Sequence, residues 1–211
     1  MEANSAFIIR KISIPRLELS QVGQVGGLNA GRMVVYSQHG GILVCSILEV
    51  FRNRYSCRAY KADPVEEEKL AAILEAARLA PTAANRQPFR LVVVKTEGRQ
   101  EELRRIYPKE WFVQAPLILG VCALPDKAWV RRDGKNYADV DVSIVMDHMV
   151  LAASAQGLGT CWVGAFDAGI TREILGLGKE LEPVAFTPLG YPLDAPASKV
   201  RKQLEELVLY R

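Results

Sequence analysis

The pattern of hydrophobic and polar positions is clearest between residues 63 and 81. Apolar side chains recur there at the three- and four-residue spacing of a single helical face. Asp63 is placed to cap such a helix, Pro64 suits its first position, and Pro81 would end it. The pattern therefore predicts a helix packed on a core through Leu70, Ile73, Leu74 and Ala77.

Elsewhere in the chain, short apolar runs alternate with helical patterns. Apolar runs rich in β-branched residues indicate buried strands, whereas apolar residues at helical spacing indicate helices. The apolar end of the tail is suited to an edge strand. The predicted strands are 91–94, 116–123, 160–166, 184–189 and 207–210, and the other predicted helices are 47–53, 97–107, 139–156 and 171–177.

The helix predicted over 139–156 is apolar around more than one stripe of its surface. A helix of that kind has to be buried on several sides. Because the chain is small, we expect a second subunit to supply part of this burial. The residues that produce the pattern are Val140, Ile144, Val145, Met149, Leu151, Ala152 and Ala155.

Residues 1–45 show no sustained helical or strand period, and a glycine-rich patch over 23–31 separates two short apolar pieces. We expect them to form a poorly ordered extension with no assigned chemistry. A length of 211 residues fits one compact domain, over 46–211, together with such an extension.

Composition and charge narrow the function. With 49% hydrophobic and 24% charged residues the chain is typical of a globular protein, and its net charge is only +3. Such a small, scattered excess of basic residues argues against a nucleic-acid partner but is compatible with binding a small anion. No apolar run reaches the ~18 to 20 residues of a membrane span, and the first residues lack a signal-peptide pattern. We therefore expect a cytoplasmic protein that has no membrane partner.

The cysteines give no sign of a metal site. They form no C-x-x-C pair, and no histidine stands at metal-ligand spacing from them. We interpret them as reduced thiols of a cytosolic protein rather than as a disulfide framework. The four residues are Cys45, Cys57, Cys122 and Cys161.

The stretch from 54 to 58 carries the first candidate chemistry. If it is extended, Arg54, Ser56 and Arg58 lie on one face, because side chains alternate along a strand. Guanidinium groups match the geometry of phosphate and planar carbonyl groups in pairs. A phosphorylated cofactor is therefore the predicted partner, and a solvated connector is the alternative.

Common enzyme signatures are missing from the sequence. There is no G-x-x-x-x-G-K-[ST] loop, and no G-x-G-x-x-G follows a predicted strand. The two histidines have no neighbouring serine or cysteine that would suggest a hydrolytic triad. Since the side chains supply no obvious acid, base or nucleophile, we expect a cofactor to carry the chemistry.

Four short segments follow one another in a recognisable order. They are Arg54-x-Ser56-x-Arg58, the loop over 80–88, the segment Gly-Leu-Gly-Thr-Cys-Trp-Val-Gly-Ala-Phe over 157–166, and Leu-Gly-Tyr-Pro over 189–192. In this order and spacing they resemble FMN-dependent nitroreductases, over about residues 46–211. The resemblance implies an α+β nitroreductase-like fold, in which helices surround a mixed or antiparallel central sheet. It also implies an obligate homodimer that exchanges its C-terminal strand and holds two FMN molecules at the subunit interface.

The resemblance also implies which residues bind the cofactor. Arg58 would lie nearest the flavin N1 and C2 carbonyl, a main-chain N–H near Gly164 and Ala165 would be aimed at N5, and the loop after Pro81 would come from the partner subunit. Lys199 and Arg201 would clamp the phosphate. The complete implied set is Arg54, Ser56, Arg58, Pro81, Thr82, Ala83, Asn85, Gln87, Gly164, Ala165, Lys199 and Arg201.

The implied activity is hydride transfer from NADH or NADPH, through flavin N5, to a nitroaromatic, quinone or similar small acceptor. Two alternatives stay open: a member of the same fold that cleaves flavin or removes halogen from aromatics, and a flavin-binding protein without turnover. The segment over 124–139 is short compared with the insertion that shapes the substrate pocket in larger relatives. Whether this segment lies over a pocket or forms a plain surface loop therefore also stays open.

Overall fold

The computed structural model describes residues 32–36 and 42–211. The predicted extension over 1–45 lies mostly outside the described residues. Within it, β1 (Arg32–Tyr36) and β2 (Ile42–Ser46) pair antiparallel as a separate two-stranded sheet. The hydrophobic pattern did not indicate these two strands, and the division into an extension and a domain stays a prediction.

The central sheet has four antiparallel strands in the order β3-β4-β6-β5. Every residue of β4 is buried, as expected for an apolar strand in the middle of a sheet. The α+β class with an antiparallel central sheet is therefore confirmed. The four strands are β3 (Phe89–Lys95), β4 (Leu117–Ala123), β5 (Gly159–Thr160) and β6 (Glu182–Gly190).

Six α-helices accompany the strands in the described part of the chain. The longest is α5 (Ala138–Ala155), whose buried residues share the largest hydrophobic cluster with α2, β4 and β6. None of the helices within the described ranges has the length and apolarity needed to span a bilayer. The other five are α1 (Ile47–Asn53), α2 (Glu67–Leu79), α3 (Gln100–Ile106), α4 (Glu110–Gln114) and α6 (Ala168–Leu175).

Helix α2 begins later than the sequence pattern predicts. Asp63 is not its cap, and the residue before the helix, Glu66, has extended backbone angles and no capping side-chain bond. The Glu66 carboxylate instead accepts a hydrogen bond from the Tyr191 hydroxyl at 2.7 Å. Val65 packs against the core, so this tertiary contact holds the preceding residues outside the helix.

One predicted strand was wrong, and the strand predicted for the tail does not form within a single chain, so its exchange with a partner stays a prediction. The strand over 160–166 is reduced to β5, because the Thr160 carbonyl accepts the amide of Cys57 instead of extending the sheet. Trp162, two residues further on, is 43% exposed. In the tail, the edge strand over 207–210 does not form within this chain, and Tyr210 is 87% exposed.

Helix α5 separates two regions that matter for function. Its 18 residues span about 27 Å at 1.5 Å per residue. Asp141 lies in its first turn and Ser154 in its last, about 20 Å apart along the axis by the same rise. Groups attached at opposite ends of α5 are therefore far apart within one chain.

Candidate functional site

The arginine stretch lies beside the glycine-rich segment that precedes β6. The amide of Cys57 donates to the carbonyl of Thr160 at 2.9 Å, and Ser56 forms a parallel bridge with Thr160. This close approach requires a glycine, since a Cβ at Gly159 would lie 2.7 Å from the Cys57 Sγ. Two of the four sequence segments are therefore in direct contact.

Arg54, Ser56 and Arg58, the three polar residues of the arginine stretch, all affect the pKa of the Cys161 thiol. Burial raises the pKa of this thiol, while the positive charge of Arg58, a hydrogen bond with Ser56 and the positive charge of Arg54 lower it. The guanidinium of Arg58 also lies over the ring of Trp111, with its Cζ 5.8 Å from the ring centroid. The site is therefore positively charged next to a buried sulfur.

The C-terminal tail brings two more cations to the same region. The ammonium of Lys199 donates to the main-chain carbonyl of Arg52, and to that of Phe51 at 3.4 Å, both near the end of α1. Desolvation, followed by the positive charges of Arg54 and Arg201, lowers the pKa of Lys199. Three cations therefore converge, and none of them forms an ion pair with a carboxylate in the described part of the chain.

A pocket of about 280 Å³ opens between this cluster and the end of α5. Arg54 and Tyr55 of the arginine stretch line it together with Ser154 of α5. Residues of the glycine-rich segment also line it, so the pocket joins the arginine stretch to that segment. The remaining lining residues are Asn53, Gly157, Leu158, Gly159, Thr160 and Pro192.

The loop from Pro81 to Gln87 lies elsewhere. The amide of Ala83 donates to Oδ1 of Asp141 at 2.8 Å, which fixes the loop to the first turn of α5. The Gln87 amide donates to the Thr82 hydroxyl at 3.0 Å, and the Gln87 side chain to Oδ1 of Asn85 at 3.3 Å. Within one chain, this loop is therefore at the opposite end of α5 from the cation cluster.

The loop has an unusual backbone conformation. Three of its residues that are not glycine have left-handed backbone angles, a conformation that costs about 1 kcal/mol or more per residue. Such angles persist only where surrounding contacts impose them. The residues are Ala84, Asn85 and Gln87, with φ of 51°, 52° and 51°.

Gly164 and Ala165 follow the single bridge between Val163 and Phe186, in which the Val163 amide donates to the Phe186 carbonyl at 2.8 Å. Both are exposed. A Cβ added to Gly164 would meet no heavy atom of the described chain within 4 Å. Their backbone therefore borders open space, three and four residues after Cys161.

Sequence reasoning missed two carboxylates. Asp194 accepts hydrogen bonds from the arginine stretch, and Asp141 anchors the loop. Asp141 is only 1% exposed, which is unusual for a carboxylate in the first turn of a helix. Its position among apolar residues of α5 was the available signal. Asp194 gave no signal in the sequence, because its partners lie more than 130 residues earlier.

The fold and the site together define an α+β protein with a cluster of cationic side chains near its central sheet. A family model described as the nitroreductase family matches residues 51–118 and 107–191. The "NADH dehydrogenase" of Thermus thermophilus is 31% identical over 189 residues, covering 75% of this chain and 92% of that protein. The chain therefore belongs to the nitroreductase family.

Solved structures agree with this assignment. A nitroreductase family protein from Clostridium difficile 630 has a TM-score of 0.70 and 41% identity, covering 77% of this chain and 96% of that chain. A protein from Desulfovibrio desulfuricans, solved in complex with FMN, has a TM-score of 0.69 and 27% identity, covering 78% of this chain and 96% of that chain. The similarity in both cases spans almost the whole of the other protein.

Proposed function

We propose that the protein is an FMN-dependent oxidoreductase that transfers a hydride from NADH or NADPH to a nitroaromatic, a quinone or a similar small acceptor. Membership of the nitroreductase family supports the class of reaction. The relatives support the cofactor and the reductant, since one is named an NADH dehydrogenase and another was solved with FMN. The class of acceptor is the one implied by the resemblance of the four sequence segments to FMN-dependent nitroreductases.

The observation that carries this proposal is the convergence of Arg54, Lys199 and Arg201. Like charges brought together without a carboxylate repel one another; desolvation lowers the pKa of Lys199 first, and the positive charges of Arg54 and Arg201 lower it further. A phosphate group relieves this repulsion by accepting charge-assisted hydrogen bonds from all three. The donor set therefore fits the phosphate of FMN.

The remaining residues of the stretch would serve the ring system. Arg58, whose main chain is held by Asp194, would place a permanent positive charge near the N1 and C2 carbonyl edge. FMN, when bound, would supply the position, N5, that accepts and donates the hydride. Ser56 would contribute a hydroxyl, and the open backbone at Gly164 and Ala165 would contribute an N–H to the same ligand.

We further propose that a complete site needs two copies of the chain. The loop that carries Pro81, Thr82, Ala83, Asn85 and Gln87 is anchored at Asp141, about 20 Å along α5 from Ser154, which lines the pocket with Arg54. These loop residues would therefore serve the partner's cofactor rather than their own. An antiparallel pairing of two α5 helices would bring each loop to the other chain's cations. The exposed apolar residues Ile47, Leu48 and Phe51 of α1 would be covered by this pairing.

The tail would take part in the same assembly. Leu207, Leu209 and Tyr210 are exposed in a single chain, which is costly for a run of apolar residues. In the homodimer they would pack on the partner as its exchanged C-terminal strand. The partner would thereby hold the tail that carries Lys199 and Arg201.

The experiment is a flavin assay on the purified protein. The proposal predicts a yellow protein that retains FMN, loses its 450 nm absorbance when NADH or NADPH is added without oxygen, and recovers it with a nitroaromatic or quinone. A protein that takes up no FMN contradicts the proposal. Bound FMN that no nicotinamide reduces, or a new chromophore formed from the flavin itself, favours the non-catalytic or the flavin-cleaving alternative.

A further inference from the structure

Asp194 connects the arginine stretch to the tail through a dense set of hydrogen bonds. Its Oδ2 accepts the main-chain amide of Arg58 at 2.7 Å. Its Oδ1 accepts the hydroxyl of Tyr55 at 2.9 Å and the thiol of Cys57 at 3.0 Å. The Tyr55 hydroxyl also lies 2.8 Å from the Asp194 carbonyl oxygen. One side chain therefore holds three of the five residues of the stretch.

The neighbouring backbone strengthens this attachment. The amide of Leu193 donates to the Ala59 carbonyl at 2.8 Å, and the amide of Lys61 donates to the Tyr191 carbonyl at 2.8 Å. The tail is thus paired with residues 59–61 up to Asp194 and then continues toward α1. Asp194 is the last attachment before the tail reaches Lys199, five residues later.

The surroundings of Asp194 favour the ionised form of its carboxyl group. Burial raises the pKa of its carboxyl, but bonds from the Cys57 thiol, the Arg58 amide and the Tyr55 hydroxyl outweigh burial and lower it overall. The ionised carboxylate only accepts hydrogen bonds, and the three groups around it are donors. Nothing in the proposed hydride transfer requires this acid itself.

We propose that Asp194 is a positioning residue that sets the distance between the ring-supporting Arg58 and the phosphate-binding arm of Lys199 and Arg201. The inference rests on the proposed function, because it assumes that both cationic groups bind one FMN molecule. Through its bonds Asp194 fixes where the arm begins relative to Arg58. Without it, each cation keeps its charge but the two ends of the site lose their fixed separation.

The first test compares the affinities of FMN and riboflavin, which differ only in the phosphate. In Asp194→Ala we expect the affinity for FMN to fall about tenfold more than that for riboflavin, as when one charge-assisted contact is lost. Asp194→Glu should recover part of the difference. The matched control is Asp167→Ala, which removes the carboxylate that accepts the Ile170 amide at 2.8 Å at the start of α6. Its ratio of affinities should equal that of the wild type.

Equal losses of FMN and riboflavin affinity in Asp194→Ala overturn the positioning role and leave the proposed function intact. A wild-type protein that binds neither flavin contradicts the proposed function instead. If Asp194→Ala does not fold, Tyr55→Phe removes one of the three side-chain or main-chain donors while keeping the carboxylate, and should shift the ratio in the same direction by less.

The second test needs no cofactor. Trypsin cleaves after Lys199, Arg201 and Lys202, so the rate of cleavage in the tail reports how firmly the arm is held. Asp194→Ala should be cleaved there several-fold faster than both the wild type and Asp167→Ala. Unchanged cleavage at these three sites contradicts the proposal.

Discussion

The amide of Ala83 lies 2.8 Å from Oδ1 of Asp141, a carboxylate that is 1% exposed in the first turn of α5. This contact attaches a loop with three left-handed residues to α5, the longest helix in the described part of the chain. The contact places the loop at the N-terminal end of α5. Because α5 is about 27 Å long, the loop is far from the other end of the helix. The loop and the cation cluster belong to opposite ends of one rigid element.

Asp141→Ala should lower the free energy of unfolding by about 1 to 3 kcal/mol, since it leaves the Ala83 amide without its acceptor. Urea unfolding followed by circular dichroism measures the change. Ser143→Ala on the same helix removes an exposed hydroxyl that donates to the Asp139 carbonyl at 2.6 Å, and should change stability by less than about 0.5 kcal/mol. Equal effects of the two substitutions would show that the loop does not depend on Asp141.

Gly159→Ala should displace the arginine stretch, because its Cβ would lie 2.7 Å from Sγ and 2.9 Å from Cβ of Cys57. We expect a loss of about 1 to 3 kcal/mol of stability, the usual cost of overpacking, together with weaker FMN binding. Adding Cys57→Ala removes Sγ and should restore part of both losses, which a double-mutant cycle measures. Strictly additive effects would mean that the two residues do not press on one another.

The elements that could be predicted from the sequence are those whose partners are apolar neighbours. The pattern of α5 and the apolar run of β4 placed both elements to within one residue at each end. Their stability depends on burial, which periodicity records directly. The α+β class and the antiparallel sheet could be predicted on the same grounds together with the family resemblance.

The elements that could not be predicted depend on single polar contacts between distant segments. The strand expected over 160–166 ends at Thr160, since the carbonyl of Thr160 pairs with Cys57 about 100 residues earlier. The cap expected at Asp63 does not form because Glu66 is engaged by Tyr191. The role of Asp194 could not be predicted for the same reason, because its partners Tyr55, Cys57 and Arg58 lie more than 130 residues earlier in the chain.

Lys199 should make FMN binding sensitive to alkaline pH. Its pKa in the protein alone is lowered from the ordinary value of 10.5, and a bound phosphate would raise it again. Between these two pKa values binding takes up a proton, so the affinity for FMN should fall as pH rises through the alkaline range. Titrations monitored by flavin fluorescence from pH 7 to 10 measure this dependence.

Two variants separate charge from protonation. Lys199→Gln should bind FMN about tenfold more weakly at pH 7, and its affinity for FMN should not fall further at alkaline pH. Arg201→Gln should bind more weakly by a similar factor but keep the loss of affinity at alkaline pH, because the lysine is still present and a guanidinium stays charged throughout. A pH profile in Lys199→Gln identical to that of the wild type would contradict the assignment.

The buried cysteines should react slowly with thiol reagents. Burial raises the pKa of Cys57 from 9.0 to about 11, with a further increase from its bond to Asp194. At pH 8 its thiolate fraction should therefore be about 100-fold below that of an ordinary thiol. Burial likewise raises the pKa of Cys122 to about 11 and raises that of Cys161.

The rate of labelling with dithionitrobenzoate in the Cys45→Ser variant measures this protection. All three thiols should react only as fast as the protein opens. Stability should then decline as pH rises from 9 toward 11, because the folded state holds these protons above the pKa of the unfolded thiols. Labelling of Cys161 at the rate of a free thiol would show that the site is more open than described.

The FMN content of mixed dimers tests most directly whether each cofactor site combines cations from one chain with the loop of another. One tagged copy carries Arg54→Gln and Lys199→Gln, and a differently tagged copy carries Asn85→Ala and Gln87→Ala. Each variant alone should bind FMN poorly. In the mixed dimer, one site receives both intact sets of residues and the other receives both altered sets.

If each site combines cations from one chain with the loop of the other, mixed dimers isolated through both tags should bind one FMN per dimer with the affinity of the wild type. If the loop instead served the cations of its own chain, each site would contain one altered set. Mixed dimers that bind FMN no better than the two parent variants would contradict the account.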